Sequence, residues 1–365
     1  MSGIPKSADG SAPAATEPVA KYSVSGGFVP LLHQLDIAVA ITSYQSGRLY
    51  LLGRNPQGGL MVNEQFFQKA MGLHYDGKTL FMATLANIYR MENILRADQV
   101  MDELFSDCFV PRTAHFTGML DAHDLGVSNG GDILFVNTRY NCIARPDPVH
   151  SFAPVWRPSF ISALVSEDRC HLNGLAMADG EAAYVTAVSK SDTIDGWRDR
   201  RANGGIVIDV REDRVICEGL SMPHSPRLHQ DRLWIANSGT GEIGWIEGEG
   251  SAAFRPLCFC PGFVRGLAFH GNYAFVGLSK PRYERFEGLE LDQRLADADS
   301  EPWCGLQVID ITTGACVQWF RIDGKIGELY DVAVLPGLQC PRSYGFLTDE
   351  VLGIITVAPQ GRDLR

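Results

Sequence analysis

The sequence lacks the features of a membrane-spanning, secreted or nucleic-acid-binding protein. No stretch approaches the roughly 18 to 20 uninterrupted apolar residues that a membrane-spanning helix needs, and no basic segment followed by an apolar one begins the chain. Asp and Glu number 43 against 32 Lys and Arg, which gives a net charge of −11. Nucleic acids and anionic membranes require clustered Lys and Arg. We therefore expect a cytoplasmic protein whose main partner is neither a nucleic acid nor a membrane.

Cysteine patterns and nucleotide-binding motifs are also missing. The nine cysteines are an odd number and include no Cys-x-x-Cys. Cys258 and Cys260, the nearest pair, point to one face of a strand because they are two residues apart. We expect reduced, mostly buried thiols. The sequence contains no phosphate-binding glycine loop, nucleophile elbow or dinucleotide fingerprint, so we expect no nucleotide cofactor.

Glycine and proline, in contrast, are plentiful and scattered. The 38 glycines and 19 prolines separate short apolar runs, as a chain with many tight turns requires. With 45% hydrophobic and 21% charged residues, the composition is that of a globular protein with a large core. Residues 1–20 are rich in Ser, Ala, Pro and Gly and have no apolar period, which predicts a disordered tail. Residues 21–365 form the predicted folded domain.

A short strand that ends in small polar residues recurs along this domain. Its seven copies are residues 37–44, 79–85, 133–139, 182–188, 232–238, 273–279 and 344–350. Most copies follow another strand and a turn of Gly, Asn or Asp residues, which is typical of two-residue hairpins. A third strand and a more polar fourth strand come after them. A four-stranded antiparallel unit that repeats along a chain predicts a β-propeller.

The predicted fold class is therefore all-β, a single β-propeller with seven blades of four antiparallel strands. The last unit has strands at 331–335, 344–348 and 352–357 and lacks a fourth. Residues 21–26 could supply that strand and close the ring, which would remove two exposed sheet edges. The count of seven depends on this closure, and six blades are the alternative. The charged segment 281–303 predicts a loop with a helical turn.

Two stretches of the chain resemble known propellers. Residues 171–180, His-Leu-Asn-Gly-Leu-Ala-Met-Ala-Asp-Gly, look like the inner-strand motif of the gluconolactonase, senescence-marker and strictosidine-synthase-like propellers. That resemblance implies a metal held by acidic and Asn side chains. Asn173 and Asp331 match these residue types, whereas His123 and His224 stand where the pattern does not predict them. The chain from about residue 24, including MPHSPR (222–227) and SGTGEIGWIE (238–247), is more similar to an uncharacterised bacterial family of conserved hypothetical propellers.

Polar side chains gather where the channel of such a propeller would open. Inner strands line the channel, so residues at their starts and just after the second strands converge on one face. Alignment of the inner strands on their Gly-Leu-like step places six residues in one ring: Met71, His123, Asn173, His224, Arg265 and Asp331. Asp121 and His171 precede ring members by two residues and therefore share their face.

Imidazole, carboxylate and amide groups in one ring predict a divalent metal ion, Zn, Mn, Fe or Ni. The predicted ligands are His123, His171, His224, Asn173 and Asp331. His123, His171 and Asp121 are the candidate catalytic residues, which would move a proton while the ion polarises a substrate oxygen or activates water. The alternative for each histidine is a hydrogen-bonded structural role.

Basic side chains surround the same face and predict an anionic ligand such as a carboxylate or a phosphate. The candidate substrate-binding residues are Arg265, Arg139, Lys190, Asn237, Lys280 and Arg282. Solvated loop charges are the alternative for Lys190, Lys280 and Arg282, whereas Arg265 faces a confined channel and needs a partner, either Asp331 or a ligand. We therefore predict a small-molecule site at the channel mouth, belonging to a metal-assisted hydrolase, lyase or isomerase that acts on an anionic metabolite. The alternative is a non-catalytic propeller that binds a ligand or another protein, and the oligomeric state stays open.

Overall fold

The computed structural model describes residues 20–248, 252–347 and 349–358. Its strands are β1 (Ala20–Val24), β2 (Ile37–Ser43), β3 (Arg48–Arg54), β4 (Leu60–Phe66), β5 (Leu73–Tyr75), β6 (Thr79–Ala83), β7 (Asn87–Asn93), β8 (Asp107–Phe116), β9 (Ala122–Val127), β10 (Ile133–Asn137), β11 (Cys142–Arg145), β12 (Ala153–Trp156), β13 (Leu172–Ala178), β14 (Glu181–Ala187), β15 (Gly205–Asp209), β16 (Arg214–Leu220), β17 (Pro223–His229), β18 (Arg232–Asn237), β19 (Glu242–Glu247), β20 (Ala253–Phe259), β21 (Phe263–His270), β22 (Tyr273–Ser279), β23 (Cys304–Asp310), β24 (Cys316–Gly324), β25 (Val332–Pro336) and β26 (Pro341–Ser343). The helices are α1 (Phe28–Leu35) and α2 (Leu291–Asp297), and single 3-10 turns cover Arg198–Arg200 and Asp349–Gly353. The predicted disordered tail lies outside the described residues, apart from Ala20.

These strands form six sheets around one ring, so the protein is a six-bladed β-propeller. Five blades consist of four consecutive strands, β5–β8, β9–β12, β13–β16, β17–β20 and β21–β24, and the first blade consists of β2–β4 joined by β25. The inner strands β25, β5, β9, β13, β17 and β21 contact one another around the channel. The prediction of an all-β propeller is confirmed. The count of seven blades is wrong, and the alternative of six is right.

Ring closure uses the C-terminal part of the chain. β25 pairs antiparallel with β2 and supplies the inner strand of the first blade. β1 instead pairs with β24 and becomes a fifth, outermost strand of the last blade. The prediction that residues 21–26 supply a missing fourth strand is therefore wrong, because β25 already completes the only blade that the N-terminal strands leave open in the described ring.

The predicted seventh copy, residues 344–350, forms no blade. After β25 the chain crosses to the second blade, where β26 pairs in parallel with the outer strand β8. Residues 344–347 then have no regular secondary structure. Phe346 packs against the rings of Phe67 and Tyr89, with centroids 6.0 and 5.5 Å away. Phe346 of the predicted copy therefore packs against an existing sheet and belongs to no strand of its own.

The hairpins between the first and second strands of the blades have the predicted geometry. Asp179 and Gly180 have φ of 55° and 76°, and Gln230 and Asp231 have φ of 48° and 58°. Positive φ at both central residues matches the two-residue turn that the strand twist favours. These turns lie on one face of the ring, so the starts of the inner strands meet on the other face, which we call the channel mouth.

The cysteines and the segment 281–303 agree with what the sequence predicts. All nine cysteines are free and seven are buried, as their spacing predicts. The segment 281–303 contains α2, the predicted helical turn. Within the described ranges, no helix has the length and apolar character needed to span a membrane.

A single arginine fills the centre of the channel. Arg227 of β17 forms ion pairs with Asp124 and Asp331, at N···O distances of 2.8 and 3.4 Å. It also donates to the carbonyl oxygens of Leu175 and Leu267. Burial acts to lower the pKa of Arg227, but the two carboxylates raise it above its usual value. Arg227 therefore stays charged and links blades on all sides of the channel.

Side chains of alternate blades also bind the inner strand of the next blade. In each pair a side-chain oxygen accepts a backbone N–H of the following blade. The pairs are Asp331 with Leu73, Asp124 with Leu175 and Ser225 with Gly266, at 2.8, 3.0 and 3.2 Å. Hydrogen bonds in such a buried, low-dielectric place fix the spacing of the strands that carry the site.

Candidate active site

A small cavity lies at the channel mouth. Its lining residues come from five blades and are His123, Asp124, Asn173, His224, Ser225, Arg265, Tyr330 and Asp331. The space amounts to about 10 Å³, which is enough for roughly one water-sized group. The cavity is therefore a pocket for the end of a ligand, with the rest of the molecule outside it.

A repeated hydroxyl contact shows which residue of a blade faces the channel. A Ser or Thr at the end of a second strand donates to a carbonyl oxygen at the start of the next inner strand. The pairs are Thr42 with Met71, Thr138 with Leu172, Ser238 with Val264 and Ser279 with Leu329. The channel-facing residue follows each carbonyl. Gly72 and Tyr330 therefore hold the ring positions that the sequence alignment gave to Met71 and Asp331.

The hydrogen bonds around His123 define its protonation. Its Nδ1 lies 2.8 Å from the Asp121 carbonyl oxygen and 2.8 Å from Thr138 Oγ1. Thr138 donates its only hydroxyl proton to the Leu172 carbonyl, 2.6 Å away. Both neighbours of Nδ1 are therefore acceptors, so Nδ1 carries the proton and Nε2 carries the lone pair.

His224 repeats this arrangement two blades further on. Its Nδ1 lies 2.8 Å from the Met222 carbonyl oxygen and 3.0 Å from Ser238 Oγ, and Ser238 donates to the carbonyl of Val264. Asp121 and Met222 both have positive φ, 51° and 47°, which is uncommon for residues other than glycine. This backbone conformation occurs at the same position in both blades, where the carbonyl contacts the ring nitrogen.

Burial keeps both of these imidazoles neutral. Burial, followed by the nearby His171 and Arg265, lowers the pKa of His123 well below its usual value. Burial, followed by Arg265 and His171, does the same to the pKa of His224. At neutral pH each ring therefore presents an unprotonated nitrogen, which can accept a hydrogen bond.

His171 is held by a carboxylate at the edge of the cavity. Its Nδ1 donates to Asp168 Oδ2 at 2.6 Å, and its ring stacks on Trp197 with centroids 4.2 Å apart. The ring of His123 meets it edge-on at 5.0 Å. His171 also has positive φ, 52°, at the position that corresponds to Asp121. The bond to Asp168 places a proton on Nδ1, and the two contacts together fix the orientation of the His171 ring.

Two buried polar groups of the cavity have no protein partner. Asn173 Oδ1 accepts from Thr186 at 2.7 Å, but Asn173 Nδ2 has no hydrogen-bond partner among the described residues. The same holds for Tyr330 Oη. Burial raises the pKa of Tyr330, so its hydroxyl stays protonated and is a donor. Buried donors are almost always paired, so these two indicate a place for a ligand atom.

Positive charge reaches the cavity through Arg265. Its guanidinium lies over the Tyr330 ring, 3.8 Å from the centroid, and pairs with Glu328 at 3.3 Å. Glu328 also binds Arg282 at 2.8 Å. Two arginines thus share one carboxylate, which leaves one positive charge in excess. The pairing differs from the sequence-based suggestion of Asp331 as partner, because Asp331 lies one residue deeper and binds Arg227.

The five predicted metal ligands do not form one coordination shell here. The described parts of the chain contain no group of three or more His, Cys, Asp or Glu side chains placed to hold a metal ion. The carboxylate of Asp331 is occupied by Arg227 and by the backbone N–H groups of Leu73 and Val332. The divalent metal stays a prediction, and the chemistry below does not use it.

Residues 26–343 match the model of the family described as Domain of unknown function (DUF4915). The chain belongs to this family. The predicted membership of an uncharacterised propeller family is thus confirmed. No curated protein sequence matches the chain.

Solved structures are similar to this DUF4915 protein at low sequence identity. A chain of the nidogen/laminin complex has a TM-score of 0.52 at 10% identity and covers 83% of this chain and 100% of its own. The virginiamycin B lyase of Staphylococcus aureus gives 0.38 at 11% identity, with 83% and 99% covered. A candidate gluconolactonase gives 0.40 at 9% identity, with 72% and 89% covered. The nidogen/laminin chain supports the fold alone, and none of these structures carries an activity over to this chain.

The structure gathers part of the predicted site and separates the rest. His123, His171, His224, Asn173 and Arg265 lie at or beside the cavity. Five of the six predicted substrate-binding residues do not line it. They are Arg139 and Lys190, which are exposed, Lys280, which is half-buried, Asn237, whose Oδ1 accepts the Ser221 N–H at 2.7 Å, and Arg282, which binds Glu328. Asp121 contributes its backbone carbonyl to His123.

Several residues of the site were not found from the sequence. Tyr330 lies just before β25, which lacks the Gly-Leu step, so the alignment slipped by one residue and gave the ring position of Tyr330 to Asp331. Asp168 lies three residues before His171, a spacing that a search for charged neighbours of histidine would have found. Trp197 belongs to the long loop between β14 and β15, and nothing in the sequence indicates that this loop folds back over the mouth.

Proposed function

We propose that this protein is an enzyme that moves a proton on a small anionic molecule bound at the channel mouth, as a hydrolase, lyase or isomerase. The observation that carries the proposal is the 2.6 Å contact between His171 Nδ1 and Asp168, beside a cavity with two unpaired donors. An imidazole that is held by a carboxylate through one nitrogen and is free at the other is suited to general base catalysis.

Each residue of the site has a separate role in the proposed reaction. Asn173 Nδ2, Tyr330 Oη and Arg265 hold a substrate oxygen, since all three are donors on the cavity wall. His171 removes a proton through Nε2, and Asp168 balances the positive charge that the ring then gains. His123 is neutral, and its ring centroid lies 5.0 Å from that of His171. It accepts a hydrogen bond from a substrate hydroxyl or a water molecule.

The backbone at the mouth favours catalysis over simple binding. Asp121, His171 and Met222 all have positive φ, and such conformations in non-glycine residues cost roughly 1–3 kcal/mol each. They occur at one equivalent position in three successive blades, next to the three imidazoles. Proton transfer requires an imidazole whose orientation and protonated nitrogen are both set, and this backbone holds the residues that set them.

The proposal is tested by incubating the protein with a pool of small carboxylates and phosphate esters in D2O and following the pool by NMR. We expect one compound to be converted or to gain deuterium at carbon. Asp168→Asn and His171→Asn should slow this by about 100-fold or more. His229→Asn is the matched control, because His229 stacks on Phe269 on the opposite face. An unchanged pool, or full activity in His171→Asn, would contradict the proposal.

The same assay examines the predicted metal. The protein is treated with a chelator and assayed with and without added Zn or Mn. Activity that disappears on chelation and returns with one metal would support the sequence-based ligand set of His123, His171 and His224. Activity that survives chelation assigns the proton transfer to His171 and Asp168 alone.

A further inference from the structure

We infer that the ligand of this site is a 2-hydroxycarboxylate, which places one carboxylate oxygen in the cavity and directs its hydroxyl at the neutral histidines. This inference rests on the proposed function for the location of the site. The basic residues alone are compatible with either a carboxylate or a phosphate ester. The inference is that the ligand is a carboxylate.

The unpaired donors call for an acceptor atom from outside the chain. Asn173 is 3% and Tyr330 is 4% exposed, and both line the same cavity. Neither Asn173 Nδ2 nor Tyr330 Oη finds an acceptor in the described part of the protein. An acceptor that enters this cavity would supply the partner that these donors lack, and a carboxylate oxygen has enough lone pairs to accept two hydrogen bonds.

Size separates the two anion classes. The cavity has room for one water-sized group, about 10 Å³. A planar carboxylate can place one oxygen in such a space edge-on and keep the second oxygen near Arg265. A tetrahedral phosphoryl group can also place one terminal oxygen in such a space, but its other two oxygens then both need donors outside the cavity, where the lining offers the Arg265 guanidinium.

The charge at the channel mouth also favours a carboxylate over a phosphate ester. Arg265 and Arg282 share Glu328, so this side of the mouth has one positive charge in excess. Deeper in the channel, Arg227 with Asp124 and Asp331 has one negative charge in excess. A carboxylate brings one negative charge and balances the positive excess. A phosphate ester brings about −1.5 to −2 charges, and the excess would lie above the carboxylates of Asp124 and Asp331 that also line the cavity.

The neutral histidines His123 and His224 are the reason for inferring a hydroxyl group on the ligand. His123 and His224 line the cavity, and each has its Nδ1 next to two acceptors, so each presents an Nε2 lone pair. A lone pair repels a carboxylate oxygen and attracts an O–H. Because these histidines line the same small cavity as Asn173 and Tyr330, the inferred hydroxyl is on the carbon next to the carboxylate.

The inference is tested by binding measurements in His171→Asn, a background in which the probes are not converted. The probes are lactate, propionate, glycerol 3-phosphate and inorganic phosphate, titrated by calorimetry and by thermal shift. We expect lactate to bind at least about fivefold more tightly than propionate, which lacks the hydroxyl. Both phosphates should bind more weakly than lactate. Phosphate that binds more tightly than lactate would overturn the inference.

Two variants test the donors. Tyr330→Phe and Asn173→Ala should each weaken lactate binding by about tenfold. Asn137→Ala is the matched control, because Asn137 Nδ2 is also buried without a partner but does not line the cavity. Unchanged affinity in Tyr330→Phe would overturn the inference.

The outcome separates this inference from the proposed function. Lactate binding without any turnover in the NMR assay would contradict the enzyme and keep the ligand class. Turnover of a compound without a carboxylate would contradict the ligand class and keep the enzyme.

Discussion

Glu328 is the residue on which both arginines of the channel mouth depend. Its side chain and that of Arg265 are 8% and 9% exposed, whereas that of Arg282 is 61% exposed. Water screens the outer pair and not the inner one. The two arginines therefore contribute differently to stability although they bind the same carboxylate.

Glu328→Gln should lower the free energy of unfolding by about 3 kcal/mol, because it leaves a buried guanidinium without its counter-charge. Arg282→Gln should lower it by less than about 1 kcal/mol, since the Arg282 side chain is exposed to water and Glu328 keeps Arg265 as its partner. Urea denaturation of the two variants measures the difference. An equal loss of unfolding free energy in the two variants would show that the buried pair of Arg265 and Glu328 does not stabilise the protein more than the pair of Arg282 and Glu328.

At the residue scale, the sequence identified the histidines by their register and missed what orients them. His123, His171 and His224 follow from the spacing of the inner strands. The contacts that fix their tautomers come from Asp168, three residues away in a loop, and from the hydroxyls of Thr138 and Ser238. A register argument places side chains on a face but does not reveal which hydrogen bonds hold them.

At the scale of elements, the hydroxyl at the end of a second strand connects one blade to the next. Thr138 touches both the Leu172 carbonyl and His123 Nδ1, whereas Thr42 bonds to the Met71 carbonyl and accepts the Asp331 N–H, with no histidine beside it. The same hydroxyl contact therefore only connects blades at Thr42, whereas at Thr138 it also orients a histidine of the site.

Thr138→Val should lower the free energy of unfolding by about 1–2 kcal/mol, because a buried carbonyl and a ring nitrogen lose a partner. It should also reduce activity, since His123 loses one of the groups that hold it. Thr42→Val is the control, with a similar loss of stability and no direct effect on the histidines. Urea melts and the turnover assay give the two readouts. Full activity in a folded Thr138→Val protein would contradict this role.

The strands at the two ends of the chain also differ in importance. A variant that begins at Ser25 loses only the outermost strand β1 and should stay folded, with a lower melting temperature. A variant that ends at Gly324 loses β25, the inner strand of the first blade, and should not form a cooperative fold. Far-UV circular dichroism and thermal melts test this. A cooperative melt in the second variant would contradict closure through β25.

The repeat made the six true second strands predictable, because each ends in small polar residues after an apolar run. The seventh copy failed for a physical reason. Residues 344–350 have the composition of a strand, but Phe346 finds its partners on the surface of the second blade. Local pattern alone does not separate a strand from an aromatic segment that packs on an existing sheet.

At the scale of the whole molecule, Arg227 and its two carboxylates hold the blades around the axis. Burial raises the pKa of Asp331 to about 7, with Arg227 acting against the shift and Asp124 adding to it. The unfolded chain has a value near 3.9 for Asp, so the folded protein holds this proton more tightly. The stability from that proton is complete below about pH 4 and is lost as the pH rises through about 7.

Asp331→Asn removes this titration. The loss of stability that it causes should therefore be larger at pH 5 than at pH 8, because the wild-type protein itself loses stability over that range. Urea denaturation at the two pH values measures it, with the exposed Asp132→Asn as control. A loss that grows between pH 5 and pH 8 would contradict a raised pKa at Asp331.

The most direct test of the channel mouth as a site for proton transfer is a long-range 1H–15N NMR spectrum of the histidine side chains at pH 7. His123→Gln, His171→Gln and His224→Gln variants assign the signals. We predict that His123 and His224 are neutral with the proton on Nδ1, and that His171 Nδ1 shows the strongly deshielded proton of a bond to a carboxylate. Nε2–H tautomers at His123 and His224, or a His171 without that signal, would contradict the account.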